Sequence, residues 1–258
     1  MNISTKQNHL LEAKSTLYGF VSTLFSDPES EKFSMMKNPE FQKMVLNSCL
    51  QFDENNQPDV KITMVDGVPR DPDGKEIELI NGINTLIESE ELSGTFQKVI
   101  SMVNELNRET IQNENVSIFG HTLSKQTAPY ALEHLKSTDV FFRTQKLADL
   151  NGFYQAFGME VECVERADHI ATQTEFLSYL ILKELVAIKK NLEEEIEICQ
   201  KAFIDFHQEH FFDWAKMFSE NLIEKVEGEF YPAAGKFLWG LICKEKSNLH
   251  SAKESLRI

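Results

Sequence analysis

Cysteine is sparse in this chain, and its spacing excludes the chemistry it usually brings. The four cysteines, at 49, 163, 199 and 243, never approach a Cys-x-x-Cys pair. Neither a zinc site nor a dithiol redox centre is written in them, and they read as reduced core thiols. Cationic residues are also short, with 26 Lys and Arg against 41 Asp and Glu and a net charge of -15. A nucleic-acid backbone or an anionic membrane surface needs clustered cations, so neither is the expected partner. Long apolar runs are missing as well. The first thirty residues contain no basic segment followed by an apolar one, and the most apolar later stretch, Phe176 to Ile188, is broken by Ser178, Lys183 and Glu184. The expectation is a soluble cytoplasmic protein without stable membrane insertion, whose acidic surface suits a basic or apolar partner.

Catalytic constellations are missing too. A di-iron bundle needs Glu-x-x-His pairs, and none of the seven histidines has a Glu three residues before it. His207, Glu209, His210 and Asp213 motivate a metalloenzyme alternative, although neighbours at i and i+3 also occur on ordinary solvated helix faces. The segment from Gly235 to Gly240 has the outer glycine spacing of a phosphate loop, but Leu241 follows and the run is apolar. Asp71-Pro72-Asp73-Gly74 is turn chemistry rather than a calcium loop, and no Gly-x-Ser-x-Gly elbow occurs. The reading is a protein that is not an enzyme and carries no cofactor or metal of its own.

What is present is helical periodicity. Leu10, Ala13, Leu17, Val21, Leu24 and Phe25 predict an amphipathic helix ending before Asp27-Pro28. Asn38-Pro39-Glu40 begins another, expected to reach about Leu50. Residues 53–78 are a polar excursion, with turn residues at Asp66-Gly67 and Pro72-Asp73-Gly74 suggesting a small hairpin of residues 60–65 and 75–80. Periodicity resumes from Ile77 to Leu106, and residues 113–126 read as a polar connection. Helices are expected over 139–157, with Gly158 as terminator, and from Asp168 as cap to about Asn191. Two or three more follow, the penultimate carrying Phe203, Phe206, Phe211, Phe212, Trp214 and Phe218. The class is all-α, with residues 1–258 forming a single-domain helical bundle.

Between two of these helices lies a short polar cluster, Glu165, Arg166, Asp168 and His169, flanked by Tyr154, Phe157 and Phe176. No nucleophile or ligand set accompanies it, so it reads as a recognition surface. In one reading Asp168 caps a helix and Glu165 pairs with Arg166 at the surface. In the other, Asp168 and His169 sit in a groove that offers a carboxylate and a titratable ring to a basic peptide, whose apolar side chains rest on the aromatic residues.

At these residues the chain resembles the TorD/DmsD/NarJ family of molybdoenzyme maturation chaperones. Tyr154-Gln155-Ala156-Phe157-Gly158 matches the family's Tyr-x-x-Phe/Trp-Gly, and Glu165-Arg166-Ala167-Asp168-His169-Ile170 matches its Glu-x-Pro-Asp-His-Ile/Leu with Ala167 in place of proline. Gln173-Thr174-Glu175-Phe176-Leu177 stands for Glu-Leu-x-Phe-Leu/Met. Ala128-Pro129-Tyr130 with Glu133, His210 with Trp214, and Phe230-Tyr231 extend the similarity over residues 125–245. The resemblance implies a cytoplasmic chaperone for the apo catalytic subunit of a molybdopterin-containing oxidoreductase. Such a protein binds the precursor, often through its twin-arginine signal peptide, and holds it for cofactor insertion, assembly and export. The client rather than the chaperone carries the cofactor, and the chaperone is a monomer or a helix-swapped dimer. The residues implied at the client site are Tyr154, Phe157, Glu165, Arg166, Asp168, His169, Gln173 and Phe176. A general helical adaptor is the other non-enzymatic alternative.

Overall fold

The computed structural model describes residues 3–55, 63–65, 68–70, 91–120, 126–161 and 166–255, and these form an all-α fold. In chain order, α1 (Ile3–Leu24) is followed by a single turn, α2 (Glu31–Ser34), and by α3 (Pro39–Asn55). A hairpin of β1 (Thr63–Val65) and β2 (Val68–Arg70) precedes α4 (Leu92–Glu105) and α5 (Arg108–Phe119). A 3-10 turn at Ala131–His134 leads to α6 (Val140–Ala156), α7 (Ile170–Lys190) and α8 (Glu193–Phe206). A π-helical turn, His207–Phe211, then joins α8 to α9 (Phe212–Lys225), and α10 (Phe230–Ser255) is the last helix described.

Small residues bring α1 and α7 together as the central pair. Gly19 faces Ser178, whose Oγ would stand 3.5 Å from an added Cβ. Ser15 Oγ donates to the Ser178 carbonyl at 3.2 Å, Ser178 Oγ donates to the Ser15 carbonyl at 2.8 Å, and Ser22 Oγ donates to the Ala171 carbonyl at 2.6 Å. These hydroxyls satisfy themselves across a crossing too close for longer side chains. From this pair the bundle widens on one side through α3, α4 and α10 to α9, and on the other through α8. Its core is aromatic. Phe20 meets Phe96 and Phe237 edge-on at 5.2 and 5.0 Å, and Tyr154, Phe176 and Phe206 form a second nucleus.

Carboxylates from distant segments close several helix starts, where backbone N–H groups lack intrahelical partners. Asp53, in α3, accepts the amides of Leu92 and Ser93 at 2.9 Å each and also receives Lys244 Nζ from α10 at 2.7 Å. Glu114, in α5, accepts the Tyr231 amide at 2.8 Å and the Phe230 amide at 3.3 Å at the head of α10. Gly235, which the sequence placed in a spurious phosphate-loop spacing, lies inside α10, where an added Cβ would stand 2.9 Å from Leu222 Cβ of α9. It is a close-packing glycine.

Several boundaries differ from expectation. The helix begun at Pro39 runs to Asn55, and the polar connection over 113–126 contains most of α5. The hairpin uses the first expected strand but pairs it with the segment immediately beyond Asp66-Gly67, in the register Thr63↔Arg70, Met64↔Pro69, Val65↔Val68. A two-residue Asp-Gly connection is the shortest route back, which favours the nearer partner. Residues 75–80 lie outside the described residues. The aromatic penultimate helix is split by the π-helical turn. Among the described residues no helix is long and apolar enough to cross a membrane.

Candidate functional site

The polar cluster builds a joint rather than an exposed patch. Asp168 is fully buried, and it does not cap α7. His169 does: its Nδ1 accepts the Ala171 amide at 3.2 Å. The Asp168 carboxylate turns the other way and accepts the Leu132 amide at 3.0 Å, so it caps the 3-10 turn at Ala131–His134. Its carbonyl takes the Ala131 amide at 2.9 Å, and the Ile170 amide donates to the Pro129 carbonyl at 2.9 Å, making a one-pair antiparallel bridge between Tyr130 and His169. The start of α7 and the turn at 129–132 are thus a single hydrogen-bonded unit.

Arg166 neutralises the buried charge. Its Nε and Nη2 each approach a carboxylate oxygen of Asp168 at 2.9 Å, its Nη1 lies 3.6 Å from Glu133, and its guanidinium covers the Tyr130 ring at 4.5 Å from the centroid. Glu133 also accepts Arg143 Nη2 at 2.7 Å, which ties α6 to the turn. Burial works against the Glu133 carboxylate, but Arg143 and Arg166 outweigh it and hold its pKa below the ordinary value. Such a bidentate, planar arrangement is specific to arginine. The His169 ring stands edge-on to Tyr130 at 5.1 Å, and burial, aided by Arg166 and Lys32, pushes its pKa down to about 4.

The expected aromatic groove is not where the sequence placed it. Tyr154 is buried, its hydroxyl donates to the Ala167 carbonyl at 2.6 Å, and burial raises its pKa. That bond steadies the loop where the family pattern has proline. Phe176 is fully buried against Tyr154 at 4.7 Å and Phe206 at 4.8 Å. Gln173 is fully buried and accepts the Trp214 indole N–H at 3.0 Å, a proton shared with the His210 carbonyl at 2.9 Å. Only Phe157, half-buried, reaches a groove, and there it meets Tyr179 and Leu182. Glu165 lies outside the described residues. The physical reason is the usual one: a ring that packs against three others gains more from burial than from a solvent-facing groove.

Two clefts open on either side of the 129–135 segment that Asp168 holds. One, of about 280 Å³, is lined by Phe25, Asp27, Gln112, Val116, Phe119 and Tyr130, with His169 at its wall. Gln112 Oε1 is buried there and has no hydrogen-bond partner among the described residues. The other, of about 170 Å³, lies between Ala131, Leu132 and Leu135 on one side and the π-helical turn with Trp214 on the other. Tyr130 and its neighbours in α5 were not among the expected site residues. Ala128-Pro129-Tyr130 was the available signal, whereas α5 was hidden by its polar composition. His207 and His210 face different surroundings, His207 stacking on Phe203 and His210 meeting Phe153 and Phe206. Among the described residues no group of three or more His, Cys, Asp or Glu side chains is placed to hold a metal.

The family model described as nitrate reductase delta subunit matches residues 88–220, just over half of the chain, and the chain belongs to that family. The match spans α4 to α9 and includes both clefts' shared wall. It is a family of molybdoenzyme assembly chaperones, maturation factors rather than catalytic enzymes. No curated protein matches the chain.

Proposed function

We propose that this protein is a cytoplasmic chaperone that captures the apo catalytic subunit of a molybdopterin-containing oxidoreductase and holds it for cofactor insertion, assembly and export. The observation that carries this reading is the joint itself. Asp168, Arg166 and His169 fix the Tyr130 turn so that an open, aromatic-walled cleft keeps its shape. Rigid walls lower the ordering cost of binding a flexible segment. The client segment enters the cleft at Tyr130 and His169, and a basic segment such as a twin-arginine signal is drawn in by the surrounding net charge of -15. Asp168, Gln173, Tyr154 and Phe176 act from behind this surface, by positioning it. The protein brings no cofactor of its own to the complex.

The test is co-purification with a molybdoenzyme catalytic precursor, with and without its signal segment, using wild type and Val116→Arg. Val116 is 47% exposed at the cleft, so the substitution fills it with a long charged side chain while the bundle stays folded. Capture by wild type and its loss in Val116→Arg support the reading. Capture unaffected by Val116→Arg removes the cleft, and wild-type failure to retain any such precursor removes the role.

A further inference from the structure

Three polar atoms are sealed in the core where α1, α10 and the π-helical turn come together: Tyr18 Oη, His207 Nε2 and Glu245 Oε2. None of them has a hydrogen-bond partner among the described residues. The three residues are 0, 1 and 0% exposed, and they share one neighbourhood. The Tyr18 ring stands 5.8 Å from Phe203 and 6.3 Å from Phe211, and the His207 ring stands 5.9 and 5.6 Å from the same two rings. The Glu245 carboxylate acts on both, adding to the burial that raises the pKa of Tyr18 and opposing the burial that lowers that of His207. Its other oxygen is already engaged. Oε1 accepts Nζ of Lys14, one turn before Tyr18 on α1, at 2.8 Å.

Buried polar atoms in folded proteins are satisfied by other protein groups or by internal water, because an unpaired one forfeits its hydrogen bond outright. The charges decide what satisfies these three. Glu245 and Lys14 cancel. Burial pushes the pKa of His207 down to about 4 and raises that of Tyr18, so both rings are neutral near pH 7. A metal cation would meet the Lys14 ammonium across a single carboxylate, and an anion would meet Glu245 itself. A neutral ligand remains. The Tyr18 hydroxyl and the Nε2–H tautomer of His207 are donors, while Glu245 Oε2 is an acceptor, so the ligand accepts two hydrogen bonds and donates one. Water does both, and about three hydrogen bonds is its usual number inside a protein.

We propose that Tyr18 Oη, His207 Nε2 and Glu245 Oε2 bind one internal water molecule, which fastens the π-helical turn to α1 and α10. His207 opens that turn, and the residues from Gln208 to Phe211 beyond it wall the 170 Å³ cleft beside Trp214. The water supports that wall from behind. The inference is independent of which chain the clefts bind.

Tyr18→Phe reads the site directly, because it deletes one hydroxyl and leaves the ring packing intact. A hydroxyl bonded to the water takes that bond with it, so the folding equilibrium constant should fall about threefold to tenfold. A hydroxyl without a partner would instead be a buried cost, and its deletion would stabilise. In a His207→Leu background, which removes the second donor and fills the place with methyl groups, Tyr18→Phe should no longer destabilise. Relaxation dispersion of the solvent water signal should count one long-lived internal molecule fewer in His207→Leu than in wild type. A crystal structure of wild type should show one solvent peak about 2.7 to 3.2 Å from all three atoms. A neutral or stabilising Tyr18→Phe overturns the proposal. So do equal water counts in wild type and His207→Leu, equal effects of Tyr18→Phe in the two backgrounds, or a crystal structure in which two of the three side chains bond each other directly.

Discussion

Arg166 holds both carboxylate oxygens of Asp168 at 2.9 Å while remaining itself 44% exposed, so a fully buried charge is neutralised by a side chain that reaches in from solvent. The two ends of this pair are not equivalent. Asp168 also closes the 3-10 turn through the Leu132 amide, and Arg166 also covers Tyr130.

Asp168→Ala should therefore act on folding before it acts on binding. It strands the Leu132 amide, a buried donor whose lost acceptor costs about 1 to 3 kcal/mol, and leaves the partly exposed Arg166 with Glu133 as its remaining carboxylate among the described residues. Arg166→Lys should cost less but lose the planar contact with Tyr130. Chemical denaturation of both variants checks the ordering; an Asp168→Ala protein as stable as wild type contradicts the assigned cap.

Stability should fall with acid before the carboxylates titrate. His169 and His207 each have a pKa pushed down to about 4, in both cases first by burial; Glu245 opposes the shift at His207 and Lys14 adds to it. An unfolded histidine titrates near 6.5, so between about 6.5 and 4 the unfolded chain binds more protons than the folded one. Stability is then complete above the upper value and is lost as pH descends through the window, by at most on the order of 3 kcal/mol for each histidine. Protonation of His169 Nδ1 also deletes the acceptor of the Ala171 amide. Melting temperature measured from pH 7.5 to 4.5 should decline in wild type and decline less steeply in His207→Gln.

Gly235→Ala should destabilise despite placing a better helix former inside α10. The new methyl would meet Leu222 Cβ at 2.9 Å and the Ser219 carbonyl at 3.1 Å, backbone-anchored atoms that cannot swing away. Overpacking of this kind costs about 1 to 3 kcal/mol, more than the helix propensity gained. Gly152→Ala, where nothing lies within 4 Å of the added carbon, is the matched control and should be neutral or slightly stabilising. Thermal denaturation of the two variants side by side distinguishes packing from propensity.

Asp53→Ala should weaken the fold at three places at once. The amides of Leu92 and Ser93 lose their acceptor, and Lys244, only 9% exposed, loses its carboxylate. Buried amide donors left without their acceptor cost about 1 to 3 kcal/mol each. Lys244→Met in the same background should recover part of the lost stability, because the buried ammonium that had faced Asp53 is gone; a denaturant midpoint no higher in the double variant than in Asp53→Ala defeats this account.

The long helices were legible because their apolar spacing and their ends agreed. Asp139 accepts the Phe142 amide and Gly158 takes φ 75, while Asn191 closes α7 in the left-handed region. The helix α5 was not legible, since only Ile111 and Ile118 of its stripe are buried and the remainder is polar. At the site, sequence spacing drew attention to Arg166, Asp168 and His169 but assigned them the wrong neighbours. The partner of Asp168 is Leu132, 36 residues earlier, and that of Gln173 is Trp214, 41 residues later. Spacing along one helix carries no record of such meetings. A polar residue beside a helix start reads as a cap for that helix, although here the histidine caps it and the aspartate serves another turn.

The triple engagement of Asp53 gives the bundle a natural port for added modules. With the end of α3 clasped to the start of α4, the joined ends stay adjacent whatever chain connects them. Closure entropy grows only logarithmically, by about 0.6 kcal/mol for each doubling of loop length. An affinity handle or a fluorescent reporter inserted between Asn55 and Glu91 should thus leave that clasp closed, which makes this the position at which to follow the protein inside cells.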